Sequence, residues 1–541
     1  IVSAEDLPLV QAIAERERAP FYVVGEVVGD RKIVFLDDTR QPPLDLPLEV
    51  LFGSSPKLVL EDQTPQVEFS PLEFSINTSA ALLAALRDVL SLEGVACKDW
   101  LTNKVDRSVT GLVAQQQCVG PLQLPLSNVA VMALDYRAKY GAATAVGHAP
   151  VAGLIDEQAG AILSVAEALT NIVWAPLKNG LESVVLSANW MWPVKHPGEG
   201  SRLYRAVEAV SRFAIELGVA VPTGKDSLFM TMKYDDGSIV NAPGTVIISA
   251  AAECENVRCC VTPDIKPVPG SHLLYVNLSG LEENPLGGSS FAQVLGQLGA
   301  STPSISDVLR FKSGFNLIQK FVKDGLLLAG HDVSSGGLIT ALCEMAFAGD
   351  TGIEVRFEGS EKSVVAQLFC EKPAVVLQVE AQHSAEIVSR LRSLGLDVQA
   401  LGEVHGTQIK IQAGELSFSV GVSDLRRTWF KTSFLLDAKQ TAPQLAKERY
   451  EKFDAHPLHF VFPQGFTGRA ADYGVDVLRG EHKGIRAAII RDKGTNGDRE
   501  MALSMFAAGF DVKDVTMSDL MNGRETLADT NLIVFPGGFS N

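Results

Sequence analysis

The 541-residue chain has few cysteines, few aromatic residues and no long run of basic or apolar side chains. Its seven cysteines are scattered and form no pair of CxxC motifs, which argues against a disulfide framework and favours a reducing, cytoplasmic location. The longest apolar stretches, such as 246–252, are far shorter than the roughly 18 to 20 residues that cross a bilayer. The net charge of −17, without a basic cluster, argues against nucleic acids and membranes as partners, because both are anionic.

What the chain does contain is typical of folded globular domains. Hydrophobic residues make up 46% and charged residues 21%, and the length predicts three or four domains. The chain begins at Ile1 rather than Met, and Asn541 follows a Gly-Gly turn closely. We therefore expect an internal segment of a longer protein.

The first 75 residues predict the end of one domain and a linker. Residues 21–36 contain two β-rich runs around Gly29-Asp30, a pattern that predicts a hairpin. Residues 41–75 are rich in proline and lack periodicity, as in a crossing linker.

Alternating helix and strand patterns follow, and they predict α/β or α+β domains. The predicted elements up to residue 265 are helices at 80–92, 156–174 and 203–217 and strands at 183–186 and 245–250. Beyond it they are strands at 273–277 and 326–329, helices at 290–298 and 338–347, a loop at 330–337 and an irregular connector at 430–483.

From Gly484 the pattern becomes a βαβ unit, the opening of a doubly wound domain. It comprises an apolar strand at 485–490, a loop at 491–498, a helix at 499–508 and a second strand at 532–535. Gly537 and Gly538 after that strand could form part of an oxyanion hole, although a plain turn explains them equally well. No cysteine follows Cys370, so this region carries no thiol nucleophile.

Glu167 and Asn171 stand four residues apart on the helix predicted at 156–174, away from its apolar stripe. This spacing brings a carboxylate and an amide oxygen to one point, a pair that suits Mg²⁺. The alternative is an ordinary solvated helix face.

Residues 330–337, Gly-His-Asp-Val-Ser-Ser-Gly-Gly, follow a strand and open a helix, a setting that favours a bound phosphate. Asp332 could hold a metal ion and Ser334 could donate to a phosphate. The alternative is that Ser334 or Ser335 caps the helix. We assign no role to His331.

Three other features are weak on their own. Lys98 could meet a polyphosphate or be an ordinary surface lysine. The stretch 224–227 lacks the first glycine of a P-loop, so we reject that interpretation. The turn at 285–290 could contact phosphate but is better explained as a helix entry.

Taken together, the motifs closely resemble the large, single-chain phosphoribosylformylglycinamidine synthases of purine biosynthesis, over nearly the whole chain. The motifs that carry the resemblance are Lys98-Asp99-Trp100, 106–113 with Gly120-Pro121, Glu167 to Asn171, 187–190, 224–227, His331-Asp332 with Gly336-Gly337, 496–500 and 537–540.

The resemblance implies a ligase that converts formylglycinamide ribonucleotide, glutamine and ATP to formylglycinamidine ribonucleotide, glutamate, ADP and phosphate. ATP would phosphorylate the amide oxygen, and ammonia from glutamine would displace phosphate. The implied fold is an aminoimidazole-ribonucleotide-synthetase-like module, with N-terminal-type and C-terminal-type domains, followed by the start of a flavodoxin-like glutaminase domain. A Cys-His-Glu triad and the first-half histidine lie outside this chain, so neither active site is complete and the segment alone is expected to be inactive.

The resemblance also implies domain boundaries. They are the end of the first-half synthetase domain at 1–40, a linker at 41–75, the N-terminal-type domain at 76–265, the C-terminal-type domain at 266–430, a connector at 431–483 and the truncated glutaminase at 484–541.

The second half of such enzymes holds a structural magnesium-nucleotide. The residues implied to contact ATP or ADP are Lys98, Ser127 and Ser334, and those implied to bind Mg²⁺ are Asn128, Glu167, Asn171 and Asp332. Asn128 stands where the family has Asp, so a charge is missing there. The other partners implied are the small-molecule substrates, and the full-length form is implied to be a monomer. The alternative is a non-catalytic scaffold or binding paralogue of the same fold.

Overall fold

The computed structural model describes residues 1–53, 59, 61–64, 67–102, 104–455 and 460–539. The chain divides into two units, Ile1–Glu61 and Asp62–Asn541. None of the helices in the described ranges is long and apolar enough to cross a membrane.

The first unit contains a small antiparallel ribbon between helices. Its elements are α1 (Leu7–Arg16), β1 (Lys32–Phe35), β2 (Leu44–Pro47) and α2 (Leu48–Phe52).

The hairpin predicted at 21–36 is wrong, because residues 21–28 form no strand and β1 pairs with β2. The chain reverses at residues 37–41 instead. There the Asp37 carboxylate accepts hydrogen bonds from the N–H groups of Thr39 and Gln41, both at 2.9 Å. The chain therefore turns at Asp37, although Gly29-Asp30 is also a sequence pattern typical of a tight turn.

The second unit begins with a six-stranded sheet that is covered by helices on one face. Its elements are α3 (Ser79–Ser91), α4 (Asp99–Thr102), β3 (Val113–Gln115), β4 (Ala130–Ala133), β5 (Gly141–His148), α5 (Pro150–Ile155), α6 (Glu157–Ile172), β6 (Val185–Met191), α7 (Glu199–Leu217), β7 (Ala220–Ser227), β8 (Thr231–Lys233), β9 (Ile239–Asn241) and β10 (Thr245–Cys254). The strand order is β3-β4-β5-β10-β6-β7, and β8 and β9 pair separately.

Strand β5 shows how this sheet is layered. Ala143 and Ala145 are buried in the core with α6, while the alternate residues Ala142, Thr144 and Val146 are exposed. Residues 224–227 lie within β7, so they form a strand rather than a phosphate-binding loop.

A seven-stranded mixed sheet follows, with helices on both faces. Its elements are β11 (His272–Asn277), α8 (Ser290–Val294), α9 (Val308–Lys323), β12 (Leu327–Val333), α10 (Gly337–Gly349), β13 (Ile353–Phe357), α11 (Glu361–Phe369), β14 (Ala374–Val379), α12 (Ala381–Ser393), β15 (Asp397–Val404), β16 (Gln408–Ala413), β17 (Leu416–Gly421), α13 (Val422–Gln440) and α14 (Pro443–Lys452). The strand order is β12-β14-β11-β15-β13-β16-β17.

This sheet separates two hydrophobic cores. Leu274 and Val276 of β11 point into the core shared with α6 and α9, while Leu273 and Tyr275 point into the core with α10 and α13. Because both faces are buried, the strands read as continuous apolar runs.

Three predicted boundaries change in this region. Strand β12 continues through His331 and Asp332 to Val333, so the predicted loop at 330–337 is half strand, and α8 ends at Val294 rather than 298. The irregular connector predicted at 430–483 begins with the end of α13 and with α14. Helix α13 forms because its buried residues recur at helical spacing, among them Leu425, Trp429 and Ser433.

The last part is a three-stranded parallel sheet. Its elements are β18 (Arg486–Arg491), α15 (Asp498–Ala507), β19 (Asp511–Thr516), α16 (Met517–Met521) and β20 (Leu532–Val534), with strand order β19-β18-β20. The sequence predicted β18, α15 and β20 but missed β19. That strand lies at the sheet edge and contains three charged residues among six, so it carries no continuous apolar signal.

Candidate functional site

Glu167 and Asn171 face the strand β5 rather than solvent. Helix α6 begins at the carboxylate of Asp156, which accepts hydrogen bonds from its first turn, and it is buried on nearly every side. The Glu167 carboxylate accepts a hydrogen bond from the His148 N–H at 2.6 Å, and the Asn171 amide donates to the Val146 carbonyl at 3.4 Å. Both side chains are half-buried, so this face of α6 is only partly open to solvent.

Asp332 lies at the end of β12 with 2% of its surface exposed. Its Oδ2 atom is buried without a hydrogen-bond partner. Burial, followed by the charge of Asp332, raises the pKa of Glu167 to about 8, so the two carboxylates are close enough to repel each other. A buried, unpartnered carboxylate oxygen beside a second carboxylate is an arrangement that a cation stabilises.

His331 stands behind Asp332. Its ring nitrogens lie 3.3 Å from Asp332 Oδ1 and 3.2 Å from Glu344 Oε2. Burial alone would lower its pKa, yet the neighbouring Asp332 carboxylate and the hydrogen-bonded Glu344 carboxylate raise the pKa of His331 to about 9. The ring thus lies between Asp332 Oδ1 and Glu344, and Asp332 Oδ2 remains without a hydrogen-bond partner.

A cavity of about 200 Å³ opens beside these groups. Its lining combines α5 and α6 with the loops that precede α8 and α10. The polar lining residues are His148, Glu167, Thr170, Ser290, Gln293, Thr302, Ser334, Ser335 and Glu371, and Gly94, Gly287 and Gly288 contribute backbone.

The start of α10 does not use a serine cap. Gly336 occupies the N-cap position with φ of 91°, and no side chain of Ser334 or Ser335 caps the helix. The Gly336 N–H instead donates to the Glu371 carboxylate at 2.6 Å. The serine-cap alternative is therefore wrong, and both serine side chains line the cavity.

Lys98 is held close to the cavity wall but points at backbone. Its ammonium donates to the carbonyls of Glu93, Gly94 and Ala96 at 2.7, 3.2 and 2.5 Å. Burial lowers its pKa, with Glu344 acting in the opposite direction. It is neither an ordinary surface lysine nor, in this conformation, directed into the cavity.

Ser127 and Asn128 also bond to backbone. The Ser127 hydroxyl donates to the Val129 carbonyl at 2.9 Å, and the Asn128 amide donates to the Gly330 carbonyl at 3.3 Å. Asn128 therefore reaches β12 one residue before His331-Asp332. The structure thus brings Glu167 and Ser334 together in the cavity lining, while Asp332 is buried directly before Val333, which also lines it. The polar side-chain atoms of Lys98, Ser127, Asn128 and Asn171 contact backbone carbonyls instead.

These groups fit a cation that is coordinated partly by the protein and partly by phosphate oxygens. No group of three or more His, Cys, Asp or Glu side chains within the described ranges could hold a metal by protein alone. Two carboxylates suffice for Mg²⁺, which commonly keeps waters and phosphate oxygens in its shell. The unpartnered Asp332 oxygen is the observation that favours a bound cation.

The turn after β20 is tied to the loop before α15. The N–H of Phe539 donates to the Gly494 carbonyl at 2.8 Å, and the Asn496 N–H donates to the Gly537 carbonyl at 3.2 Å. A side chain at 538 would overlap the Gly494 carbonyl, so glycine is required there. Ser540, the last residue of the motif at 537–540, lies outside the described residues.

The chain is similar to known enzymes over nearly its whole length. The chain is 41% identical to the human phosphoribosylformylglycinamidine synthase over 98% of its length, and 38% identical over 100% to the probable chloroplastic/mitochondrial enzyme of Arabidopsis thaliana. The chain is thus similar over nearly its whole length to phosphoribosylformylglycinamidine synthases. It spans 40% and 39% of the length of these two relatives.

Three family descriptions match successive parts of the chain. Residues 97–253 match the FGAR-AT PurM_N-like domain, 268–413 match the AIR synthase related protein C-terminal domain, and 484–541 match the CobB/CobQ-like glutamine amidotransferase domain. These matches confirm the fold predicted from the sequence.

Solved structures of bacterial members are more distant. A Thermotoga maritima PurL complexed with FGAR is 14% identical, with a TM-score of 0.49 over 64% of this chain and 53% of the other. The same protein complexed with ATP is 16% identical, with a TM-score of 0.46 over 64% and 52%.

Sequence reasoning missed two groups at the cavity, the His148 backbone and Glu371. Glu371 lies between the end of α11 and the buried strand β14, and it accepts hydrogen bonds from two loops that are far away in sequence. The only sequence signal is a charged Glu-Lys pair directly before an apolar run, which is weak.

Proposed function

We propose that this chain is part of an enzyme that makes formylglycinamidine ribonucleotide from formylglycinamide ribonucleotide, glutamine and ATP, with glutamate, ADP and phosphate as the other products. The names of the relatives, at 36–41% identity over nearly the whole chain, support this activity. The substrates would be the small molecules named here, and the scattered cysteines favour a cytoplasmic location and give no hint of a disulfide-linked partner. A monomeric full-length form remains a proposal from the resemblance alone.

We further propose that the 200 Å³ cavity holds a magnesium-nucleotide, ATP or ADP, as an auxiliary site. The single observation that carries this proposal is the buried Asp332 oxygen without a partner, next to the Glu167 carboxylate. Each carboxylate supplies an oxygen of the kind that Mg²⁺ prefers.

The remaining predicted residues have defined roles in this proposal. Ser334 donates its hydroxyl to a phosphate at the cavity wall, and Asn171 and Asn128 supply amide oxygens once their side chains turn from the carbonyls they now contact. Lys98 adds positive charge beside Gly94, which lines the cavity. When bound, Mg²⁺ would shield phosphate charge from the carboxylates.

The first experiment is to denature the purified chain, identify released nucleotide by chromatography and count magnesium. We expect ADP or ATP and magnesium in comparable, near-stoichiometric amounts. Folded protein that releases neither would contradict the auxiliary site and would favour the non-catalytic paralogue.

Thermal melting of variants refines this test. In Glu167→Gln, magnesium and ADP should no longer raise the melting temperature, because a ligand stabilises only the state that binds it. Glu182→Gln removes an exposed carboxylate of the same charge and should keep the full rise. An equal rise in both variants would exclude Glu167 from the metal site.

A further inference from the structure

Three consecutive residues fasten the loop 281–290 to the seven-stranded sheet. The Cys370 thiol donates to the Pro285 carbonyl at 3.2 Å. The Glu371 carboxylate accepts from the Ser290 N–H at 2.8 Å, and the Lys372 ammonium donates to the Leu281 carbonyl at 3.0 Å. We call residues 370–372 the loop clamp.

Within the loop clamp, Glu371 joins two separate segments of the cavity wall. Its Oε1 atom accepts from both Ser290, the first residue of α8, and Gly336, the N-cap of α10. These N–H groups are the donors that an anion would otherwise use at this end of the cavity. A carboxylate of the protein therefore already satisfies them.

The backbone around Gly336 makes this arrangement rigid. Gly336 and Gly337 have φ of 91° and 74°, which side-chain-bearing residues rarely adopt. A side chain at 337 would also meet the backbone of Leu368 and Phe369 at 2.6–2.8 Å. The two N–H groups and Glu371 are thus held in place by packing.

Two acidic side chains line this cavity. Glu167 and Glu371 are both in its lining, and the charge of Glu371 contributes to the raised pKa of Glu167. A phosphate without a counter-ion would meet the Glu371 carboxylate at this end of the cavity and would find the N–H donors there occupied. A metal-bound phosphate would bring the positive charge that these carboxylates lack.

We infer that Glu371 is a specificity-determining residue that excludes free phosphate-type anions from the cavity and so restricts it to metal-complexed phosphates. This inference rests on the auxiliary nucleotide site proposed above and deepens it. It attributes the exclusion of free anions to the charge of Glu371, and not to the residues that bind the metal.

The test uses inorganic pyrophosphate in EDTA, a probe that needs neither a nucleoside nor a metal. We expect the purified chain to bind it weakly and Glu371→Gln to bind it about tenfold more tightly, because one nearby charge is removed while the amide oxygen still accepts both N–H groups. Magnesium-ADP should bind both forms within about threefold. Glu358→Gln, which neutralises an exposed carboxylate, should behave as the unaltered chain.

Glu371→Asp separates charge from structure. Aspartate keeps the negative charge but is one methylene shorter, so its bonds to Ser290 and Gly336 weaken. If it still excludes pyrophosphate, the charge is responsible, as we infer. If Glu371→Asp and Glu371→Gln bind pyrophosphate more tightly to the same extent, the residue only supports the loops and the inference is overturned. The inference is also overturned if Glu371→Gln fails to fold while Glu371→Asp folds.

The outcomes distinguish this inference from the proposed function. Unchanged pyrophosphate binding in Glu371→Gln overturns the selection role, whatever magnesium-ADP does. Absence of magnesium-ADP binding in the unaltered chain overturns the auxiliary nucleotide site, while a gain of pyrophosphate binding in Glu371→Gln would still show that Glu371 excludes anions from this cavity.

Discussion

The indole ring of Trp174 lies directly against Gly330, in the space that a Cβ at position 330 would need. Trp174 follows α6, which carries Glu167, and Gly330 precedes His331-Asp332 on β12. Trp174 is fully buried, so the contact fixes how closely the helix approaches the strand. The two carboxylates of the site therefore depend on a glycine that carries no chemistry.

Gly330→Ala should lower the free energy of unfolding by about 1–3 kcal/mol, because the added methyl group overlaps a buried ring. It should also weaken the stabilisation by magnesium-ADP, since it displaces α6 from β12. Thermal melts with and without the ligand measure both effects. Gly480→Ala is the control, because nothing lies within 4 Å of a side chain there. Equal ligand stabilisation in both variants would contradict the link between this contact and the site.

Asn128→Asp should tighten Mg²⁺ binding about tenfold in the presence of ADP, because it adds a charged oxygen beside β12. In EDTA the same variant should melt lower, since the new carboxylate loses the donated hydrogen bond and faces the Gly330 carbonyl. Calorimetric titration with Mg²⁺ tests the first effect. Asn179→Asp, at an exposed position, controls for charge alone. Unchanged Mg²⁺ affinity would place residue 128 outside the metal site.

Asp511 should make the last sheet sensitive to acid. The Lys483 N–H, followed by the Gly484 N–H and the Arg479 guanidinium, lowers the pKa of Asp511 to about 2, although partial burial opposes this. Because the folded-state pKa lies below the ordinary value of 3.8, the stabilisation is complete above about pH 4 and is lost as pH falls through 2.

Asp511→Asn should therefore destabilise β18 at pH 5 and make little difference at pH 2. Hydrogen exchange of the amides in β18 (Arg486–Arg491) reports this difference. Glu481→Gln, at an exposed position nearby, should exchange as the unaltered chain does at both values. A destabilisation of Asp511→Asn that is the same at both pH values would show that packing, and not ionisation, explains the role of Asp511.

Trp429 joins α13 to the segment that leads to Lys98. Its indole N–H donates to the Val95 carbonyl at 3.0 Å, and its own carbonyl accepts from the Cys97 N–H at 3.1 Å. Trp429→Phe keeps an aromatic ring but leaves the Val95 carbonyl without this donor, so the free energy of unfolding should fall by about 1–3 kcal/mol. Urea denaturation measures the loss. Trp100→Phe, at a half-buried tryptophan, is the control, and an equal loss there would contradict a specific role for the Val95 bond.

The sequence predicts elements well where local signals are strong. Helix α6 has Asp156 as its N-cap and a clear apolar stripe, and it begins and ends within two residues of the prediction. Helix α3 lies within one residue of its predicted bounds for the same reason. The family resemblance then supplied what local patterns could not, the architecture of the whole segment.

Long-range pairings explain the failures. Strand β1 pairs with β2 because of a turn at Asp37, although Gly29-Asp30 is the stronger local signal. The site shows the same limit. Glu167, Asp332 and Ser334 could be predicted because motifs contain them, whereas Glu371 gains its importance only from two loops that the fold brings to it.

The loop clamp has a consequence for how this region can vary. Cys370, Glu371 and Lys372 each hold a different point of the loop 281–290. A substitution at one position releases one anchor and leaves two. A one-residue insertion or deletion within 370–372 would shift the register of all three anchors against the loop together. Change in this segment should therefore proceed by replacement of single side chains at constant length.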